Sequence, residues 1–153
     1  MEKIASFTIN HNTLKRGIYL SRIDADVITY DLRMREPNKP PFLSNAALHT
    51  IEHLFATFAR NGKYRDSVVY FGPMGCRTGF YLLLRDTVSK REAIDLIRDT
   101  IDWIARYEGE IPGAKAEECG NYLEHDLEGA KAEARAYAEV IRDWTPENLA
   151  YEP

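Results

Sequence analysis

The amino-acid sequence predicts an α+β fold, an antiparallel sheet with helices packed on one face in a two-layer sandwich. Strand-like and helix-like segments come in separate blocks along the chain, which favours antiparallel pairing. Two apolar runs, Ser67-Val68-Val69-Tyr70-Phe71 and Phe80-Tyr81-Leu82-Leu83-Leu84, have the composition of central strands covered on at least one face. A capped and striped segment beginning at Ser89 supplies an amphipathic helix to cover them. No internal repeat, low-complexity tract or Gly/Ser linker interrupts the sequence, so residues 1–153 are expected to form a single domain.

In chain order, residues 4–10, 17–24 and 26–35 are rich in Ile, Thr, Tyr and Val with partial period-two patterning, and Asp24-Ala25-Asp26 supplies a tight polar turn. They predict a strand followed by a hairpin. Pro37, Pro40 and Pro41 stop any regular element, because proline lacks a backbone donor and steers its predecessor away from helix. From Ser44 the apolar positions Leu48, Ile51, Leu54, Phe55 and Phe58 take helical spacing, and Asn61-Gly62 ends it. Residues 67–73 and 79–85 form the next two strands, around the turn Gly72-Pro73-Met74-Gly75. Ser89-Lys90-Arg91-Glu92 is a capping box, with Ile94, Ile97, Ile101 and Ile104 as the buried stripe behind it. After Gly109 and Pro112 a polar stretch passes Cys119-Gly120 and leads into an Ala-rich helix from about Leu127 to Trp144.

Composition excludes several classes of function. The 153 residues are 44% apolar and 29% charged, which suits a folded domain able to bury roughly 70% of its unfolded surface. A net charge of -4, with neither sign in a long block, argues against nucleic acid or an anionic membrane as partner. The longest nearly unbroken apolar stretch is Phe80 to Leu84, far below the roughly 18 residues of a membrane span. The start, MEKIASFTINHN, lacks the pattern of an export signal, so a cytoplasmic address is expected. Reduced thiols there make metal binding or catalysis a better reading of Cys76 and Cys119 than a disulfide.

Two of the four histidines fall in His49-Thr50-Ile51-Glu52-His53 on the first long helix. At 100° per residue His53 lies about 40° from His49, and Glu52 about 60° to the other side, so one face carries two imidazoles and a carboxylate. Imidazoles one turn apart can converge on one divalent cation, and the neighbouring carboxylate can serve as a base. Chance would produce this pattern on the order of 0.01 times in a chain of this composition. A catalytic metal usually takes three protein ligands, and Cys119 is the natural third, with Glu117, Glu118 and His125 as alternatives. Cys76 sits in a glycine-flanked turn beside Arg77, where a cation favours the thiolate and fits the thiol for acid–base or nucleophilic work. Ser6, His11 and Arg33, taken alone, read as ordinary polar groups.

Together His49-Thr50-Ile51-Glu52-His53, Pro73-Met74-Gly75-Cys76-Arg77-Thr78-Gly79, Cys119-Gly120 and His125-Asp126-Leu127-Glu128-Gly129-Ala130-Lys131 resemble the S-ribosylhomocysteine lyase (LuxS) family. Ser6-Phe7, His11-Asn12, Asp31-Leu32-Arg33 and Pro37-Asn38-Lys39 extend the resemblance over essentially the whole chain. It departs from the family at Arg16 to Val27, at Pro40-Pro41 and after Trp144. The resemblance implies cleavage of S-ribosylhomocysteine to homocysteine and 4,5-dihydroxy-2,3-pentanedione, the autoinducer-2 precursor, within the activated methyl cycle. Two carbonyl migrations through enediolates would precede a β-elimination. By the same resemblance His49, His53 and Cys119 bind the metal, iron(II) with zinc or cobalt as replacements, and Cys76 and Glu52 transfer protons. Ser6, His11 and Arg33 would contact the substrate. A homodimer with active sites at its interface is implied as well.

Two other readings fit the motifs. One is an inverted HxxEH zinc metallopeptidase, against which chain length and Cys76 count. The other is a non-catalytic structural zinc protein, closed by His49, His53, Cys119 and a fourth ligand such as Cys76.

Overall fold

The computed structural model describes residues 1–153. Four strands, β1 (Gly17–Asp24), β2 (Val27–Arg33), β3 (Val68–Pro73) and β4 (Gly79–Arg85), form one antiparallel sheet in the order β1-β2-β4-β3. Three helices, α1 (Asn45–Ala59), α2 (Lys90–Ala105) and α3 (Leu127–Ile141), complete the α+β architecture. Side chains alternate across a strand, so Ile18, Ile28, Tyr30, Leu32, Phe80, Leu82 and Leu84 all point to one face. There they join the helical stripes in a core of 27 buried residues. Phe55 of α1 stacks on Phe71, which stacks on Phe80, with ring centroids 3.9 and 4.9 Å apart, tying helix layer to sheet.

The capping box at the start of α2 forms as predicted: Ser89 accepts from the Glu92 amide, and Glu92 accepts from the Ser89 amide. Its buried stripe includes Ile94, Ile97, Ile101 and Ile104. The β1–β2 hairpin also forms, closed at Asp24↔Val27 with Ala25 at φ +53°.

Two elements differ from expectation. Residues 4–10 form no strand: Ala5–Phe7 is a short 3-10 turn, because the Thr8 hydroxyl and amide both bond to Ala5 O. The second Ala-rich boundary shifts too, since α3 ends at Ile141 rather than Trp144. Trp144 turns back instead, and its indole N–H donates to Ile18 O at 2.8 Å.

The opposite face of the sheet carries Tyr19, Thr29, Asp31, Arg33, Tyr70, Tyr81 and Leu83. Asp31 and Arg33 are 0% and 2% exposed there, although both are charged. They pair with each other, and the tail returns to cover them, Tyr151 stacking on Tyr19 and donating to Asp31 Oδ2 at 2.7 Å. Burial first, then the Asp31 charge, hold the Tyr151 phenol well above its ordinary value, so it stays a donor.

Candidate metal centre and active-site residues

α1 begins where Ser44 accepts from the Ala47 amide, and its inner positions Ala47, Ile51, Leu54 and Phe55 are buried. That anchoring turns His49, Glu52 and His53 together towards the long irregular segment between α2 and α3. His49 Nδ1 donates to Glu124 O at 2.8 Å, and His53 Nδ1 donates to Pro112 O at 2.7 Å. A carbonyl can only accept, so both Nδ1 atoms carry the proton and both Nε2 atoms keep a free lone pair. Gly113 permits the second contact: it sits at φ +73°, and a Cβ there would lie 3.1 Å from His53 Nδ1.

Cys119 Sγ lies 3.4 Å from His49 Nε2 and 3.7 Å from His53 Nε2. Zinc-type bonds of about 2.3 Å to sulfur and about 2.05 Å to nitrogen, at a tetrahedral angle, put the two donors about 3.5 Å apart. The spacing of these three side chains fits a divalent metal.

His125 also brings a ligand-type nitrogen into the group, all four donors lying within 4.8 Å of one another. Its Nδ1 is 2.9 Å from the Thr50 hydroxyl, and its Nε2 is buried without a partner. Its ring lies face to face with that of His49, centroids 4.0 Å apart and planes 21° from parallel. An imidazole lone pair lies in the ring plane, and two rings aimed in-plane at one ion cannot also be face-stacked at that distance. His125 therefore walls the site beside His49. Burial first, then His49 and His53, push its imidazole down to about 4, which keeps it neutral.

Thr50, invisible as a site residue in sequence, locks this wall to α1. Its hydroxyl bonds to Ala46 O, His125 Nδ1 and the Asp126 amide, and Asp126 in turn caps α3 through the Gly129 amide. Glu124, Pro112 and Gly113 also escaped sequence reasoning, because the first two act through backbone carbonyls. Only the Pro-Gly pair left a signal.

Glu52 is half-buried and lines, with His53, Arg60, Tyr70, Pro112 and Gly113, a cleft of about 460 Å³. Cys76 lies elsewhere, in the turn between β3 and β4, exposed and unpaired. Its sulfur is 3.1 Å from the Thr78 hydroxyl, which is 2.8 Å from Arg33 Nη1. The expected cation beside the thiol is thus Arg33 rather than Arg77. Arg77, at φ +60°, directs its guanidinium to Leu43 O at 3.1 Å. Ser6 lines a smaller cleft on the open sheet face with Ser21, Thr29 and Tyr81, and His11 Nδ1 donates to Ile9 O at 2.9 Å. The structure thus forms two sets: His49, His53, Cys119 and Glu52 on the helix side, and Cys76, Thr78, Arg33 and Asp31 on the sheet. Cys76 does not join the metal cluster, which removes it as a fourth structural ligand.

Fold and site define an α+β protein with a cluster of His49, His53, Cys119 and His125 that could hold a metal ion, two of its histidines on one helix. Residues 4–148 match the family described as S-Ribosylhomocysteinase (LuxS), and the chain belongs to that family. It is 47% identical over 156 residues to the S-ribosylhomocysteine lyase of Clostridium acetobutylicum, covering 99% of each chain. To the enzymes of the same name from Phocaeicola vulgatus and Desulfotalea psychrophila it is 49% and 50% identical, over 99% of this chain and 98% and 99% of theirs.

Proposed function

We propose that this chain is an S-ribosylhomocysteine lyase, a carbon–sulfur lyase that releases homocysteine and 4,5-dihydroxy-2,3-pentanedione, the autoinducer-2 precursor. Near 50% identity over the full length of enzymes with that name carries the reading. The open His-His-Cys set supports it, since a peptidase of the HxxEH type uses a carboxylate as third ligand. The test is direct: protein loaded anaerobically with iron(II) is mixed with S-ribosylhomocysteine and free thiol is titrated. Stoichiometric thiol is expected, and none would overturn the reading.

His49, His53 and Cys119 hold the metal, which we take to be iron(II), with zinc or cobalt able to replace it. When bound, the ion supplies Lewis acidity at a carbonyl oxygen. The chain's own residues do the proton work. Breaking the thioether requires an acidic C–H beside the carbon that bears sulfur, so the substrate carbonyl must first migrate twice along the sugar. Each migration moves a proton between adjacent carbons, and Glu52 and Cys76 serve as the groups that take and return it. Loss of one further proton then expels the homocysteine sulfur. Ser6, His11 and Arg33 are assigned to the substrate side, with Arg33 acting in this chain through Thr78 and Asp31.

Residues 1–153 act as one catalytic domain within a homodimer, in the cytoplasm. No helix is long and apolar enough to cross a membrane. The dimer assignment is supported by the open face of the sheet: Ile4 and Tyr70, 56% and 53% exposed, line one cleft there with Tyr81 and Leu83. Apolar side chains grouped at that density favour a partner. A second subunit laid there would complete each active site by adding the Cys76 set of one chain to the metal set of the other.

A further inference from the structure

We propose that Thr78 is the positioning residue of the Cys76 sulfur: its buried hydroxyl receives a hydrogen bond from the Arg33–Asp31 ion pair and gives its own hydrogen to the sulfur. The inference rests on the reading of Cys76 as a proton-transfer group and adds a residue to it.

The direction of each bond follows from chemistry. A guanidinium only donates, so at 2.8 Å the Thr78 oxygen accepts from Arg33 Nη1. The hydroxyl has one hydrogen, and the Cys76 sulfur at 3.1 Å is the other partner of that oxygen. An ionised sulfur can only accept, so the O–H dipole is then aimed at it, with a cation behind. Such a bond favours an anionic sulfur over a neutral one and fixes the side chain's orientation.

Every other degree of freedom in the relay is already taken. Arg33 Nε and Nη2 bond to Asp31 Oδ1 and Oδ2 at 3.1 and 2.7 Å, and Tyr151 holds Asp31 from the far side. Burial opposes the Arg33 charge, yet Asp31 together with Cys76 and Tyr81 outweighs it and the guanidinium stays protonated. The backbone of Thr78 is pinned as well, its carbonyl accepting from the Met34 and Arg35 amides at 2.9 Å each. Gly79 follows it opposite Arg33, where a Cβ would fall 2.1 Å from Leu32 O. With Thr78 itself 1% exposed, water cannot substitute for either partner.

The experiment uses the metal-loaded enzyme and compares Thr78→Val, which keeps shape and loses the hydroxyl, with Thr78→Ser, which restores it. The primary reading is the rate of Cys76 alkylation by iodoacetamide at one fixed neutral pH, located by peptide mapping so that Cys119 is scored separately. Thr78→Val is expected to alkylate about ten-fold more slowly, the scale of one hydrogen bond to a charged group. Thr78→Ser should recover to within about two-fold, and metal content should not change in either. In turnover the loss should fall on kcat rather than KM. Should Thr78→Val not fold, Thr78→Ala carries the same expectation. Wild-type alkylation by a folded hydroxyl-less variant would overturn the relay. Undiminished turnover by Cys76→Ala would instead overturn the role of Cys76, leaving the alkylation result to stand by itself.

Discussion

Cys119 Sγ and His49 Nε2, 70 positions apart in sequence, lie 3.4 Å from each other because the segment after α2 folds back across α1. Two carbonyls of that segment, Pro112 O and Glu124 O, hold the imidazoles whose free nitrogens face the sulfur. The segment thus brings the sulfur and orients both imidazoles.

From this arrangement, His49→Ala, His53→Ala and Cys119→Ala should each lose most bound metal, since two protein ligands hold a divalent ion poorly. Elemental analysis of the purified variants measures it. His125→Ala should behave differently and keep close to one equivalent, because its stacked ring does not aim at the ion. A Cys119→Ala protein with a full, tightly held equivalent would move the third ligand to another residue.

Cys76→Ala and Glu52→Gln should retain the metal yet release homocysteine at least about a hundred-fold more slowly, the usual scale for loss of an acid–base group. Carbon-13 spectra of labelled substrate then show where each variant stalls. Different carbonyl isomers accumulating in the two would assign them to different proton transfers.

The chemistry of α1 was legible in sequence because helical spacing alone converts His49, Glu52 and His53 into one face. α2 was equally plain, since Ser89, Glu92 and the isoleucine stripe agree at every level. Residues 4–10 misled because β-prone side chains without a neighbouring strand to bond settle into local turns. Thr50 and Glu124 could not be read as site residues at all, and Pro112 only as a helix breaker: their partners lie 59 to 76 positions away, and nothing in their own neighbourhood encodes that. Arg77 next to Cys76 in sequence looked like the thiol's cation, yet the positive-φ turn gave that place to Arg33, 45 positions from Thr78.

The Asp31–Arg33 pair is buried on both sides, so removing one partner strands a charge. Asp31→Asn should lower unfolding free energy by about 3 kcal/mol in urea titrations. Tyr151→Phe, which removes a single bond to the carboxylate, should cost about 1–2 kcal/mol. Equal, small effects from both would show that water reaches the pair.

The last expectation concerns how the two sets of residues meet. The metal set stands on α1 and the segment after α2, whereas the bonds of Cys76 run through Thr78 and Arg33 on the sheet. If one chain's metal works with the other chain's Cys76, a heterodimer of His53→Ala and Cys76→Ala subunits contains one site with both defects and one with neither. Random exchange of equal amounts makes half the dimers mixed, so activity should return to about a quarter of wild type from two nearly inactive parents. Exchange is verified independently by native mass spectrometry of differently labelled chains. Were each site built within one chain, every site in the mixture would carry a defect, and verified heterodimers would stay as inactive as their parents.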